Sequence, residues 1–360
     1  MAGAVPPEGQ STGRDQTMAQ PSPDAAGDTV LVTGGSGYVG SWVIIELLRR
    51  GYRVRTTVRK LSRETAVRAA IATHEAAGTE RLSFHEADLL TDTGWTAAAD
   101  GADYVLHVAS PMPIGEYRGQ DVITPAREGT RRVLEAAHAG GARRVVVTSS
   151  SAAAIPQDRD SVADENAWSD LPDQARHNYS RSKTLAEQDA WRFADTTGIE
   201  LSTVLPGSIQ GPVLGGDYSA SVDIIALMLR GKMPAVPRFG FNIVDIRDLV
   251  ELHILAMTHP KAAGERFLAA GEFLWFSQWA QILRAELGPA ARRTPRLTLP
   301  DWTVRLVARF NPMLDQLVPN LGVHSRVSTR KAQELLGWHP RPTRVTLVGT
   351  ARSLIDKHLV

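Results

Sequence analysis

Residues 29–40 read TVLVTGGSGYVG, and this stretch decides the fold. Thr29–Thr33 is a short apolar run that predicts a β-strand, and apolar residues recur at helical spacing from Tyr38 to Arg50. Of the three spaced glycines between and after them, the first allows a tight turn and the second lets backbone N–H groups approach a pyrophosphate. The third lets the helix pack against the strand, and the helix N-terminus attracts anions. The pattern predicts a dinucleotide site formed by Gly34, Gly37, Tyr38, Val39 and Gly40.

Short strands then alternate with helices. Strands are predicted at Arg53–Val58, Leu82–Glu86, Tyr104–Val108, Arg144–Thr148 and Leu201–Leu205. Helices are predicted near Ser62–Ala77, Gln120–His138 and Tyr179–Thr197. Because such alternation builds right-handed β-α-β units, it predicts an α/β fold with a doubly wound parallel Rossmann sheet and helices on both faces.

The pattern changes at two points along the chain. Residues 1–28 predict a disordered leader, because they bury too little apolar surface to offset their ordering entropy. Residues 29–206 are the predicted NAD(P)-binding Rossmann domain. Prolines then interrupt the pattern, and 207–360 is expected to be mostly a smaller, mixed substrate-binding lobe, with some strands and helices returning to the Rossmann core. Helices are predicted there at Val222–Arg230, Ile246–Thr258, Ser277–Leu287 and Trp302–Phe310, and core tryptophans at Trp275, Trp279, Trp302 and Trp338.

Composition excludes several classes of function. The 360 residues include 40 Lys+Arg against 39 Asp+Glu, and the net charge of +1 gives no electrostatic reason to expect a nucleic-acid partner. The chain has no cysteine, which rules out disulfides, thiol nucleophiles, thiolate zinc sites and iron–sulfur clusters. The ten histidines form no His-Glu-x-x-His motif, so no metal site is expected.

Hydropathy and the N-terminus bear on location. No stretch approaches the roughly 18 consecutive apolar residues that a membrane helix needs, and the N-terminus has no charged start followed by an apolar run, as a secretory signal would. We therefore expect a cytoplasmic protein without membrane association, acting on a small molecule as a monomer or homodimer. Translation could begin at Met1 or at Met18.

The end of the second predicted strand bears on the cofactor. An NAD site usually offers an Asp or Glu there to hold the ribose 2′-hydroxyl, but this sequence reads TTVRK at residues 56–60. A carboxylate would repel a 2′-phosphate, whereas the planar guanidinium of Arg59 can hold one. The sequence therefore favours NADP(H) over NAD(H), with Arg59 and Lys60 as contacts and Arg55 as a weaker candidate. The alternative is that Arg59 and Lys60 are solvated surface charges.

Tyr179 and Lys183 stand four residues apart on a predicted helix, so both face one side. A neighbouring ammonium would lower the pKa of the tyrosine, which can donate a proton to a carbonyl oxygen as hydride arrives at the carbon. Lys183 can also hydrogen-bond the nicotinamide ribose. Residues Thr148–Ser151 end an earlier strand, at the sheet edge where ligands bind, and a serine hydroxyl there can stabilise oxyanion charge.

Together these residues resemble the extended short-chain dehydrogenase/reductase superfamily, from about Thr29 to the C-terminus. The closer resemblance is to the branch of dihydroflavonol 4-reductases, cinnamoyl-CoA reductases and aldehyde and ketone reductases. It is carried by Val32–Trp42, Tyr52–Arg59, Val105–Pro111, Val147–Ser150, Tyr179–Gln188, Leu205–Gly207 and Glu334–Trp338. The resemblance implies an oxidoreductase that uses NADPH to reduce a carbonyl group.

The family pattern also implies a role for each matching position. Ser150 corresponds to the serine that binds the substrate carbonyl, with Ser151 as the alternative, Tyr179 to the general acid and Lys183 to its partner. The remaining matches are implied to surround the cofactor: Asp88 and Leu89 at the adenine, Val108, Ala109 and Ser110 at the ribose, and Pro206 and Ser208 at the nicotinamide, where Tyr179 and Lys183 also lie.

One position departs from the family pattern, and three other functions stay open. Plant dihydroflavonol reductases have an Asn five residues after the catalytic serine, where this chain has Ile155, so a simpler or more apolar carbonyl substrate is expected.

A 3β-hydroxysteroid dehydrogenase-like enzyme would share the fold and the Ser/Tyr/Lys set. A nucleotide-sugar epimerase or dehydratase would need cations for a diphosphate, with Arg230, Arg238 and Arg247 as candidates. A non-catalytic NADP sensor usually lacks the Tyr/Lys pair.

Overall fold

A computed structural model describes residues 27–74, 77–110, 121–158 and 160–360. The expected disordered leader, apart from residues 27 and 28, lies outside the described residues. In chain order the strands are β1 (Thr29–Thr33), β2 (Arg53–Val58), β3 (Leu82–Glu86), β4 (Tyr104–His107), β5 (Arg144–Thr148), β6 (Val162–Ala163), β7 (Glu200–Pro206), β8 (Ser208–Gln210), β9 (Ala235–Pro237), β10 (Gly240–Asp245), β11 (Arg266–Ala269), β12 (Phe273–Trp275), β13 (Leu297–Leu299) and β14 (Arg326–Val327).

The α-helices follow the sequence pattern closely, except that the second is shorter than the expected Ser62–Ala77. They are α1 (Tyr38–Arg49), α2 (Glu64–Ala72), α3 (Trp95–Ala99), α4 (Ile123–Ala139), α5 (Asn178–Thr197), α6 (Ala220–Leu229), α7 (Ile246–Thr258), α8 (Phe276–Leu287), α9 (Asp301–Ala308), α10 (Pro312–Asp315), α11 (Arg330–Leu336) and α12 (Thr343–Asp356). The residues just before α2, Leu61–Arg63, form a 3₁₀ turn.

A seven-stranded sheet forms the centre of the described chain, in the order β11-β7-β5-β4-β1-β2-β3. Every neighbouring pair is parallel. This confirms the predicted doubly wound Rossmann sheet. The strand order reverses between β1 and β4, and at such a switch point the loops leave a crevice at the carboxyl ends of the strands.

The edge strand β11 was not predicted from the sequence. It joins β7 through Arg266 opposite Thr203 and Leu268 opposite Leu205. The strand contains only four residues, and its first residue is a buried arginine, so hydropathy alone gives a weak signal. Residues beyond 207 therefore contribute to the central sheet itself.

Helices cover both faces of the sheet. On one face α3, α4 and α5 bury a cluster that includes Leu31, Trp95, Leu134 and Val145. On the other face α1, α7, α8 and α12 pack over a larger cluster, with Trp279 fully buried within it. Parallel strands buried on both faces have continuous apolar runs, and β1, β4 and β5 show such runs in the sequence.

The C-terminal part adds small sheets beside the carboxyl edge. Strands β8, β10 and β12 form one, β9 pairs with β13, and β6 pairs with β14. Asp245 caps α7 by accepting the N–H of Arg247 at 2.9 Å. The expectation of four core tryptophans was wrong at Trp302, which is 69% exposed because it lies on the outer side of α9.

Candidate active site

The glycine loop joins β1 to α1 at the carboxyl edge of the sheet. Gly34 has a φ of 73°, and an added Cβ would lie 3.0 Å from the Cβ of Ala109. An added Cβ at Gly40 would lie 2.3 Å from the carbonyl oxygen of Gly34. Gly37 precedes α1, and no side chain caps the first turn of that helix. The loop thus leaves helix N–H groups available to an anion.

Tyr38 and Val39 open α1 behind this loop. The Tyr38 hydroxyl donates to the carbonyl of Pro212 at 3.1 Å, and burial raises its pKa well above the usual value. Val39 is half-buried against the core. Only the backbone of these two residues is therefore placed toward the loop, and the Tyr38 side chain ties α1 to the segment after β8.

The end of β2 presents two exposed cations, Arg59 and Lys60, and neither side chain has a hydrogen bond or ion pair within the described residues. Arg55, the weaker candidate, is engaged by the backbone carbonyls of Ala98 and Asp100. One carboxylate lies nearby, because Glu86 at the end of β3 accepts the N–H of Leu61 at 2.9 Å. The site therefore offers free cations for a phosphate, with an acid bonded to the adjacent backbone.

The residues expected at the adenine and ribose also lie at this edge. Asp88 follows β3 and accepts the N–H of Leu90 at 3.0 Å, so it shapes its own turn. Leu89 is half-buried and packs against Gly129 of α4. After β4 come the half-buried residues Val108, Ala109 and Ser110, and the N–H of Ala109 donates to the Thr33 hydroxyl at 3.0 Å.

Ser150, Tyr179 and Lys183 meet where β5 ends against the start of α5. The Tyr179 hydroxyl donates to Ser150 Oγ at 3.4 Å, and Lys183 Nζ donates to the Thr148 carbonyl at 3.5 Å. Tyr179 is 37% exposed as a whole, with its hydroxyl directed inward. The serine that contacts the tyrosine is Ser150, whereas the alternative, Ser151, begins the next 3₁₀ turn.

Burial is the main cause of the pKa shifts of Tyr179 and Lys183. Burial raises the pKa of Tyr179, and the bond to Ser150 opposes this rise only in part. The expected lowering by Lys183 is not found in this structure, because the Lys183 ammonium is directed at the Thr148 carbonyl. Burial lowers the pKa of Lys183 to about 8, and the negative charge of Glu187 opposes that fall. Near neutral pH the tyrosine keeps its proton and the lysine keeps its charge.

Pro206 ends β7, and Ser208 lies in β8 immediately after it. Both are buried, and Ser208 Oγ accepts from the Gln210 amide at 3.4 Å. Gly207 between them passes so close to Asn242 that an added Cβ would lie 2.4 Å from its carbonyl oxygen. These residues form a tightly packed wall at the carboxyl edge of the sheet.

Sequence reasoning missed the buried charges behind the cluster, Glu187 and Arg266. Glu187 lies one turn beyond Lys183 on α5, and its carboxylate accepts from Arg266 Nε at 2.8 Å. The sequence signal that could have identified Glu187 is its position four residues after Lys183, which places both on the same side of α5. Arg266 lies 79 residues away in the chain, so its partner was not visible from spacing.

The three arginines considered for a sugar-nucleotide diphosphate are already occupied. Arg230 contacts the Leu359 carbonyl and lies 3.7 Å from Asp223, Arg238 pairs with Asp301, and Arg247 pairs with Asp245 at 2.7 Å. Within the described residues no three side chains are grouped to hold a metal ion. No helix in the same ranges is long and apolar enough to cross a bilayer.

Comparison with known proteins identifies the family. Residues 30–270 match the NAD dependent epimerase/dehydratase family. The chain is 38% identical over 265 residues to cinnamoyl-CoA reductase 1 of Oryza sativa subsp. japonica, covering 72% of this chain and 76% of that protein. It is 32% identical over 316 residues to dihydroflavonol 4-reductase of Zea mays, covering 85% and 82%.

A solved structure shows the same fold. The yeast methylglyoxal/isovaleraldehyde reductase Gre2, complexed with NADPH, superposes with a TM-score of 0.76 at 20% identity, covering 92% of this chain and all of that one. The match of fold agrees with the sequence relatives. The chain belongs to the NAD dependent epimerase/dehydratase family, within the extended short-chain dehydrogenases/reductases, and is an NAD(P)-dependent oxidoreductase.

Proposed function

We propose that this protein is an NADPH-dependent reductase of aldehydes or ketones. The observation that carries the proposal is the meeting of Ser150, Tyr179 and Lys183 beside the glycine loop, all at the carboxyl edge of one parallel sheet. Residues 29–206 would supply the cofactor site and this cluster, and 207–360 most of the substrate site. The sequence relatives and the yeast enzyme are named for carbonyl reduction, which supports the same class of reaction.

The residues at the sheet edge fit a phosphorylated dinucleotide. The uncapped first turn of α1 and the tight turn at Gly34 suit a pyrophosphate, and Arg59 with Lys60 suits a 2′-phosphate. When bound, NADPH supplies the hydride that reaches the carbonyl carbon. Glu86 also lies beside this end of the sheet. Because a carboxylate there can hold a ribose 2′-hydroxyl, NADH is compared directly with NADPH in the experiment below.

The three clustered side chains would complete the reduction at the carbonyl oxygen. Ser150 would donate a hydrogen bond to that oxygen, which becomes negative as the carbon accepts hydride. Tyr179 would then transfer its hydroxyl proton to the oxygen, leaving a phenolate and forming the alcohol. For its charge to stabilise that phenolate, Lys183 would turn from the Thr148 carbonyl toward Tyr179. Water would then return a proton to the phenolate. Burial keeps the Tyr179 pKa high, so the proton is present at the start.

The substrate is expected to be simpler or more apolar than a flavonoid. Ile155 lies after the turn that carries Ser150, and its side chain offers no hydrogen-bonding group. Its backbone N–H is already used, because it donates to Ser169 Oγ at 2.7 Å. An apolar side chain cannot hydrogen-bond the hydroxyl groups of a polyhydroxylated ring, so such a ring would gain no affinity from this position.

The test is oxidation of NADPH, followed at 340 nm, with aldehydes, ketones, dihydroflavonols and steroid ketones, and with NADH in parallel. Turnover of an aldehyde or apolar ketone with NADPH preferred is the expected result. Turnover restricted to steroids would favour the hydroxysteroid dehydrogenase alternative. Binding of NADPH without turnover of any carbonyl would overturn the proposal in favour of a sensor or a sugar-nucleotide enzyme.

A further inference from the structure

A buried carboxylate, Glu187, lies at the centre of a hydrogen-bond network behind the active-site cluster. Its side chain has no solvent exposure. Oε2 accepts from the Ser149 hydroxyl at 2.6 Å, and Oε1 accepts from the Thr203 hydroxyl and Arg266 Nε, each at 2.8 Å. The acid therefore joins α5 to the residue after β5, to the middle of β7 and to the first residue of β11. Every one of these donors is itself buried, which gives the network a fixed geometry.

Arg266 extends the network to the segment that follows Ser150. Its Nη1 donates to the carbonyls of Glu165 at 2.6 Å and Ala167 at 2.8 Å. Its guanidinium carbon lies 3.7 Å from the centre of the Trp168 ring, in a cation–π contact. The cation is thus held on several sides, and its partner carboxylate cannot rotate away without breaking these bonds.

Glu187 and Lys183 also line the same small cavity. That cavity is lined by both residues, together with Ser149, Thr148 and His107. His107 on β4 is neutral, because burial lowers its pKa to about 3. Tyr179 is also neutral, since burial raises its pKa. Within the described residues, Glu187 is therefore the anion that acts on the Lys183 ammonium.

We propose that Glu187 is a positioning residue, which keeps Lys183 charged and fixes the turn that presents Ser150, with Arg266 holding the carboxylate in place. This inference rests on the proposed reductase function for its effect on turnover. The electrostatic part is independent of turnover, because a carboxylate favours a nearby ammonium whatever reaction follows.

The direction of the effect follows from the charges. Burial disfavours the Lys183 ammonium, and Glu187 opposes that loss. Replacing the carboxylate by an amide removes the opposing charge and leaves the shape almost unchanged. The pKa of Lys183 should then fall by about one unit from its value of about 8, which is the lower end for a close opposite charge because Arg266 already neutralises part of it.

The experiment compares Glu187→Gln with wild type in kcat against pH and in the labelling of Lys183. Competitive acetylation with acetic anhydride, read by mass spectrometry from pH 5 to 10, reports the fraction of uncharged Lys183 without any turnover. If the pKa falls by one unit, the ratio of kcat at pH 8 to kcat at pH 6 should be about fivefold lower in the variant than in wild type. The labelling midpoint should fall by the same amount.

Two further variants separate this role from general stability. Glu187→Gln/Arg266→Gln removes both members of the buried ion pair, so neither of them is left unpaired. It decides the question if the single variant does not fold, and its midpoint for the labelling of Lys183 should fall as well. Asp189→Asn is the matched control, because Asp189 lies on the same helix and pairs with Arg127 and Arg192 outside the network. Its midpoint and pH profile should equal those of wild type.

The outcomes distinguish the two proposals. If Glu187→Gln or the double variant folds and labels Lys183 with the wild-type midpoint, the inference is wrong. If the midpoint falls but no carbonyl is reduced by wild type, the reductase proposal fails and the electrostatic role of Glu187 stands. If kcat falls equally at every pH with an unchanged midpoint, Glu187 acts through structure alone and the inference is overturned.

Discussion

Two glycines of the loop can be tested separately, because the same added methyl group meets different surroundings. At Gly40 an added Cβ would lie 2.3 Å from the carbonyl oxygen of Gly34, so the helix or the loop must move. At Gly37 the same oxygen would be 3.3 Å away, and φ is −83°. At Gly37 the methyl group therefore makes a tight contact that a shift of a few tenths of an ångström would relieve, whereas at Gly40 it overlaps the backbone.

The magnitudes follow from these distances. At Gly40 the obstructing atom belongs to the backbone, so the cost is at the upper end for overpacking, about 3 kcal/mol. The higher helix propensity of Ala returns about 1 kcal/mol, which leaves a net loss of about 2 kcal/mol and lowers Tm by roughly 4 °C. At Gly37 the change at the N-cap costs at most about 1 kcal/mol. The methyl group there obstructs the approach of a pyrophosphate, so NADPH affinity should fall at least about tenfold.

The assay combines a fluorescence titration of NADPH with thermal unfolding of each variant. Gly349→Ala is the control, since Gly349 also lies within a helix and its added Cβ would meet Arg247 at 3.9 Å, an ordinary contact. This control should bind NADPH like wild type and unfold no earlier. Wild-type affinity in Gly37→Ala would refute the placement of the pyrophosphate. An unchanged Tm in Gly40→Ala would refute the packing argument.

Three further predictions concern the proton donor, the phosphate contact and pH. Tyr179→Phe should lower kcat by about 10²–10⁴-fold with NADPH binding nearly unchanged, and retained turnover would exclude Tyr179 as the acid. Arg59→Ala should weaken NADPH about tenfold and NADH little in titrations of both, whereas equal losses would exclude a 2′-phosphate contact. Burial lowers the pKa of His107 to about 3 and of His253 to about 4, so both stay neutral in the folded protein. Below about pH 6.5 the two histidines bind protons in the unfolded chain but not in the folded one. The free energy of unfolding therefore falls as the pH falls, by about 1.4 kcal/mol per pH unit for each histidine. The melting temperature should therefore fall between pH 6.5 and 5, and a constant value would contradict this reasoning.

The central sheet could be read from the sequence because its strands are buried on both faces. Arg53–Val58, Leu82–Glu86 and Arg144–Thr148 begin and end in the structure where the sequence predicted. Arg144–Thr148 is a compact apolar run and Arg53–Val58 alternates, whereas Leu82–Glu86 contains only two apolar residues. The edge strand Arg266–Ala269 could not be read in the same way, since its partner β7 and the acid that neutralises Arg266 lie far away in the chain.

In the candidate site, too, the sequence predicted some features and not others. The positions of Tyr179 and Lys183 on one side of α5 follow from helical spacing, and the glycine loop follows from its place between a strand and a helix. The protonation of the cluster does not follow from spacing. The sequence predicted that Lys183 lowers the pKa of Tyr179, whereas burial raises it and the ammonium turns to the Thr148 carbonyl.

The sequence by itself determined the fold class and the family and predicted the residues that meet at the candidate site, because these depend on local pattern: apolar runs, glycine spacing and helical period. Tertiary structure alone decided which groups are buried and which charges face each other. The pair of Glu187 and Arg266 illustrates this, since two residues 79 apart meet only after α5 and β11 pack onto the same sheet. Desolvation and Coulomb energy depend on distances in the folded chain, and no local pattern encodes them.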